Sequence, residues 1–220
     1  MKKKQYAVFG LGIFGTTIAR TLSKCGYEVL AVDQDMDLVE QVANDVTKAV
    51  VANVTDKEEL QELGIDEFDV VVIAIGSHLE ESILATMIVK ELGVPFVVAK
   101  AKNRQAMKIL EKIGVDQVVR PEKEMGERLA KHLIRNSIVE LNELDEDYSI
   151  VEFKVLDRWI GKTLQSLNLR VKHSINVLGY KNGGQDKIQM DVDANYVIKS
   201  GDHFLMVVKT KEIEKLDRSR

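Results

Sequence analysis

At 220 residues the chain has room for one large domain or two modest ones, each with its own core. Apolar residues make up 45% and charged residues 30%, the balance of a soluble globular protein, and no apolar run approaches the ~18 residues a membrane-spanning helix needs. A net charge of −4 argues against a nucleic-acid partner, and a single cysteine, Cys25, excludes an intrachain disulfide or a thiolate metal cluster.

The basic start, Met1-Lys2-Lys3-Lys4, leads into a glycine-punctuated strand and not a signal-peptide core, so the expected location is the cytoplasm. In chain order, a strand at 6–9 precedes a helix at 14–24, and a strand at 29–32 precedes a helix at 36–44. Strands at 49–52 and 70–75 precede helices at 57–63 and 79–92. A strand at 96–99, a helix at 105–113 and a strand at 117–119 complete the series. These strands are nearly all apolar and rich in valine, as strands buried on both faces must be. Several helices stop at glycine (Gly26, Gly64, Gly93, Gly114), the residue that most easily takes a left-handed cap. Such alternation gives right-handed crossovers, so the expected fold class is α/β, a Rossmann-like doubly wound parallel sheet.

After Pro121 a longer helix is expected at 122–136, with Met125, Leu129 and Leu133 forming one apolar stripe. The acidic stretch 143–147 reads as a solvated boundary. Beyond it, short strands are expected at 149–156, 176–181, 187–190, 196–198 and 203–208. Turn chemistry at Lys181-Asn182-Gly183-Gly184 and Ser200-Gly201-Asp202 separates several of them. Helices are expected at 163–167 and 212–217. The chain therefore divides into 1–136 and 137–220, the second part holding a linker and a small α+β domain.

The glycine loop carries the chemistry. Gly10-Leu11-Gly12-Ile13-Phe14-Gly15 follows a strand, opens a helix, and is followed 18 residues later by Asp33 at the end of the second strand. Gly10 allows the tight turn, Gly12 lets the backbone approach a diphosphate, and Gly15 lets helix and sheet pack closely. The helix start then offers free N–H groups and partial positive charge to phosphate oxygens. Asp33 can accept from both ribose hydroxyls and would repel a 2′-phosphate, which favours NAD(H), ATP or ADP over NADP. Ligands in such folds lie beyond the carboxyl ends of the strands, which here are Asn53-Val54, Ile75-Gly76-Ser77 and Lys100. Asn53 is either an adenine contact or a turn residue. Lys100 is either a phosphate or ribose partner or half of a salt bridge.

Catalytic patterns are missing. There is no GxSxG elbow, HExxH pair, Walker lysine loop or Cys/His cluster; His173 and His203 lie 30 residues apart without a partner pattern, His132 sits on the long helix, and His78 is expected beside the nucleotide cleft. A small NAD-dependent oxidoreductase would need a general acid or base against the nicotinamide, and the second domain offers none. A nucleotide site without visible chemistry suggests a sensor and no enzyme; the oxidoreductase is the alternative reading.

With these residues placed, the chain resembles the cytoplasmic regulatory subunits of bacterial Ktr and Trk potassium transporters, built from an RCK (TrkA-N) nucleotide-binding domain and a TrkA-C domain. The stretches that carry the resemblance include residues 5–15, 29–33 and 71–76, then Leu110-Glu111-Lys112-Ile113-Gly114-Val115-Asp116 with Arg120-Pro121-Glu122-Lys123-Glu124-Met125-Gly126. The second domain adds residues 148–152 and 167–172. The resemblance implies homodimers assembled into octameric rings at the inner face of the membrane, on an integral-membrane potassium channel subunit, with ATP, ADP or NAD(H) gating that partner. By position it implies Gly10, Gly12, Ile13, Phe14 and Gly15 at the phosphates and Asp33 with Gln34 at ribose. Asn53 and Val54 would meet adenine, and Ile75, Gly76 and Ser77 the middle of the nucleotide. Lys100 and Lys102 would lie near ribose and phosphates, and Glu122 beside the phosphates, where it can help bind a divalent cation. The helix from Glu122 would supply dimer contacts, although burial within one subunit explains its stripe equally well. In Ktr-type relatives the second domain binds cyclic di-AMP between two subunits, and Leu169, Arg170, Ile175 and Asn176 match that site.

Overall fold

The computed structural model describes residues 3–134, 138–185 and 187–213. Contacts divide the chain into two compact units, Met1–Met125 and Gly126–Arg220.

The first unit alternates β1 (Gln5–Phe9), α1 (Ile13–Lys24), β2 (Glu28–Asp33), α2 (Met36–Val42), β3 (Lys48–Val51) and α3 (Lys57–Glu62). A 3-10 turn at Ile65–Glu67 precedes β4 (Val70–Ile73), α4 (Leu79–Glu91), β5 (Phe96–Lys100), α5 (Arg104–Ile113), β6 (Gln117–Val119) and the start of α6 (Pro121–Leu133). The six strands form a parallel sheet in the order β3-β2-β1-β4-β5-β6. The expected Rossmann-like α/β class is borne out.

The strands read as continuous apolar runs because each face packs on its own core. Ala7, Phe9, Leu30, Val32, Val71 and Ile73 join Leu60, Val89 and Leu110 on one side, while Val8, Ala31 and Val72 join Leu11, Ala19 and Val39 on the other. Each large side chain so buried contributes roughly 1.5–3 kcal/mol. The fourth strand stops at Ile73, short of the expected 75. Gly10, with φ +89, turns the chain away after β1, so β4 loses its ladder partner beyond Ile73 and Ile75-Gly76 is released as a loop.

The second unit holds an antiparallel sheet in the order β7-β8-β10-β9, from Ile138–Glu143, Tyr148–Lys154, His203–Lys209 and Asn176–Lys181. Two short helices, α7 (Leu164–Leu167) and α8 (Leu169–His173), precede β9. The core gathers Phe153, Trp159, Ile175, Ile198, Phe204 and Met206. Glu152 is a buried carboxylate of this sheet; its Oε2 lies 3.0 Å from Lys181 Nζ and its Oε1 lies 2.8 Å from His203 Nδ1. Burial alone would raise its pKa, but the bonds from His203 and Lys181 override that and hold the carboxyl below its usual range.

Three expectations are corrected here. The acidic stretch 143–147 is the turn of the β7–β8 hairpin, where Asp145 Oδ1 accepts from the N–H groups of Asp147 and Tyr148; its charge solvates a turn. The strand at 187–190 reduces to a single bridge, Tyr180 to Gln189, after the glycine turn. The strand at 196–198 leaves the sheet because its backbone pairs with residues 161–164, as in Ile198 N–H to Lys162 O at 3.0 Å. Of the helices expected at 122–136 and 212–217, residues 135, 136 and 214–217 lie outside the described residues.

Candidate ligand-binding cleft

A cleft of about 1200 Å³ opens at the carboxyl ends of β1, β2, β4 and β5. It lies where the chain direction through the sheet reverses, between β1 and β4, because crossovers leave those two strands on opposite sides and their loops part.

The three glycines of the loop between β1 and α1 serve three different needs. Gly10 has φ +89, and a Cβ there would come within 3.1 Å of Ile75 Cγ1. At Gly15 a Cβ would fall 1.8 Å from the Gly10 carbonyl oxygen, so the close approach of α1 to β1 forbids any side chain. Gly12 is different: its φ is −64 and nothing lies within 4 Å of where its Cβ would stand. Neither backbone strain nor packing demands glycine there. The space above it is open cleft.

The helix starts around the sheet also differ. Asp35 caps α2 and Asp56 caps α3, both with acidic residues in the first turn, and Asn103 caps α5. Helix α1 has no side-chain cap and no acidic residue in its first turn, so positive helix-end potential is left facing the cleft.

Asp33 lines the cleft with both oxygens oriented by backbone: Oδ2 accepts from Leu11 N–H at 2.6 Å and Oδ1 from Asp35 N–H at 3.0 Å. Gln34, Val54, Ile75, Gly76, Ser77 and Lys102 also line it. Lys100 reaches in from the end of β5 and donates to Glu122 Oε1 at 2.5 Å, so the salt-bridge alternative describes this structure. That hydrogen bond holds the Glu122 carboxyl below its usual range. Ile13, the first residue of α1, lines the mouth and is 92% exposed, and Phe14 lies beneath Lys100.

Two residues of the glycine-site set are not in the lining. Gly15 lies under it as packing. Asn53 acts as a turn residue: its Oδ1 accepts from Thr55 N–H at 3.0 Å and Thr55 Oγ1 at 2.7 Å. The apolar wall from Leu38 and Met125 and the polar edge from His78 and Glu81 add to the expected set. Leu38 and Met125 sit at helical spacings that read as core, which hid them. Among the described residues no cluster of three or more His, Cys, Asp or Glu is placed to hold a metal ion.

In the second unit Arg170 and Asn176 are exposed, whereas Leu169 and Ile175 are 5% and 0% exposed and belong to the core. In the single chain these two aliphatic side chains pack inward, and the polar pair faces solvent. Across 169–176 Leu169 and Ile175 turn inward, while residues 170–174 and Asn176 stay exposed.

Comparison with known proteins shows the family. The TrkA-N domain matches residues 6–121 and the TrkA-C domain residues 149–219. Ktr system potassium uptake protein C of Bacillus subtilis (strain 168) is 38% identical over 98% of this chain and 97% of its own length. Ktr system potassium uptake protein A of Vibrio alginolyticus is 41% identical over 93% and 92%. Among solved structures, the GsuK RCK domain aligns with TM-score 0.67 at 16% identity, over 98% of this chain and 47% of that one. A GsuK channel bound to NAD aligns with TM-score 0.66 at 15% identity, over 98% and 39%. This chain thus spans less than half of those solved chains, and the likeness to them is one of fold.

Proposed function

The chain belongs to the family built from a TrkA-N and a TrkA-C domain, which includes Ktr system potassium uptake proteins, and from that premise we propose that it is a regulatory subunit of a potassium uptake system, responsive to an adenine nucleotide. The observation that carries the nucleotide part is Gly12, a glycine required by neither φ nor packing, over an uncapped helix start at the sheet's reversal point. An anion meets backbone N–H groups and helix-end potential there at no cost in reorganisation. Asp33, with its carboxylate fixed by Leu11 and Asp35, is suited to accept ribose hydroxyls. The ligand in this reading is ATP, ADP or NAD(H), with Glu122 able to help hold a divalent cation.

The subunit works without catalysis in this reading, in keeping with the names of its relatives. No helix among the described residues is long and apolar enough to cross a membrane, so the proposed place of work is the inner face of the membrane, beside an integral-membrane potassium channel subunit. Homodimers assembled into an octameric ring would convert nucleotide binding into a change of shape, with residues 1–136 as the sensing domain and 137–220 as the second. For that second domain we propose cyclic di-AMP between two copies, met by Arg170 and Asn176, since a guanidinium can pair with phosphate in bidentate fashion.

The test is titration of nucleotide-free protein with ATP, ADP and NADH by calorimetry, with Asp33→Ala alongside. Each charge-assisted bond lost should cost that variant at most about 1.5–3 kcal/mol, or roughly ten- to a hundredfold in affinity. Unchanged affinity would remove the ribose assignment. Potassium flux through vesicles carrying a Ktr-type membrane subunit, with and without the chain, tests the regulatory role.

A further inference from the structure

This inference concerns Lys100 and rests on reading the cleft as a nucleotide site. Lys100 ends β5 with its side chain only 14% exposed. A Cβ on Gly76 would stand 3.1 Å from Lys100 Nζ and 3.2 Å from Cε, so the lysine passes close over this glycine. The lysine stem therefore lies across the Gly76 backbone and delivers its ammonium into the cleft, 5.6 Å from the centre of the Phe14 ring. There it meets Glu122 Oε1 at 2.5 Å, on a side chain that is 70% exposed and belongs to the first turn of α6.

The two partners are unequal. The Glu122 carboxylate keeps most of its surface and can return to water at little cost. The Lys100 ammonium is largely cut off from solvent and needs a counter-charge at all times. An anionic ligand group in the cleft would supply one. We infer that Glu122 is an internal competitor for the ligand's anion: Lys100 pairs with Glu122 while the cleft is empty and passes to a phosphate oxygen when it fills. Each binding event then releases the first-turn carboxylate of α6, the helix that continues from the first unit to Leu133. The pair lowers affinity for anionic ligands and reports occupancy to that helix.

The test is a double-mutant cycle on the full, nucleotide-free chain in the presence of a chelator, so that no divalent cation bridges. Calorimetry with ADP is run on wild type, Glu122→Gln, Lys100→Gln and the double variant, with adenosine as the ligand that carries no anion. Glu122→Gln should tighten ADP by up to about fivefold, the range set by a partly exposed ion pair. In the Lys100→Gln background that gain should vanish, and adenosine should respond to neither change. A gain that persists without Lys100 would mean that Glu122 repels phosphate through space, and the exchange would be overturned. Unchanged or weaker ADP binding in Glu122→Gln overturns it too, as does an equal gain for adenosine. If none of the four proteins bound ADP or adenosine, the nucleotide reading of the cleft would fall together with the exchange.

Discussion

The start of α1 in the first unit and segment 168–176 in the second are both proposed to meet phosphate, yet they are built in opposite ways. At α1 the donors are backbone N–H groups, the helix is uncapped, and side chains enter mainly as volume that must be absent at Gly10 and Gly15. In the second unit the polar contact is the exposed Arg170 side chain on a five-residue helix, flanked by Asn168 and Ser174 in left-handed conformations (φ 48 and 54). A backbone site resists changes of chemistry and fails on added bulk. A side-chain site has the opposite weakness.

The largest effect expected from that contrast is at Gly15. A methyl group 1.8 Å from the Gly10 carbonyl cannot be absorbed by a rotamer change, so Gly15→Ala should cost more than ~3 kcal/mol of stability. Chemical denaturation measures it, and a loss below ~1 kcal/mol would show that α1 can slide away from the sheet. Arg170→Ala, by contrast, should leave folding within ~0.5 kcal/mol of wild type while weakening cyclic di-AMP by roughly ten- to a hundredfold. Binding that survives the substitution would remove that ligand from the segment.

Ile13 sharpens the comparison inside the first site. As an exposed aliphatic residue at the cleft mouth it donates no hydrogen bond to a terminal phosphate, so ATP should bind no more than about tenfold tighter than ADP. Ile13→Arg should create a preference for ATP. A strong ATP preference in wild type would show that backbone donors, Lys100 or Lys102 already serve that phosphate.

The smallest effect is a matter of pH in the second unit. Glu152 has its folded pKa lowered from the ordinary value of 4.5, so its contribution is present in full above that value and is lost as pH falls through the lowered one. The stability gap between wild type and Glu152→Gln should therefore close as pH drops from about 6 to about 3. His203 and Lys181 face the carboxylate, and Lys154 stands opposite His203 in register. A gap that stays constant would mean that Glu152 contributes packing alone.

The amino-acid sequence alone determined the alternation of strand and helix in the first unit, and with it the sheet. Two-sided burial leaves no choice but near-continuous apolar strands, and glycine marks where helices stop. It also determined the glycine loop with Asp33, because a tight turn and close packing single out glycine at 10 and 15 in fixed spacing from that carboxylate. In the second unit the same reading placed β8, β9 and β10 within a residue or two. It missed β7, whose short run before an acidic turn looks like linker until β8 pairs with it. Short segments such as 187–190 and 196–198 depend on which backbone groups come near, and that is decided by the chain's return path. Only the tertiary structure could decide that Asn53 holds a turn, that Leu169 and Ile175 face the core while Arg170 does not, and that Lys100 is paired with Glu122. Each of those outcomes is a choice among partners distant in sequence, and local pattern carries no information about which of them arrives.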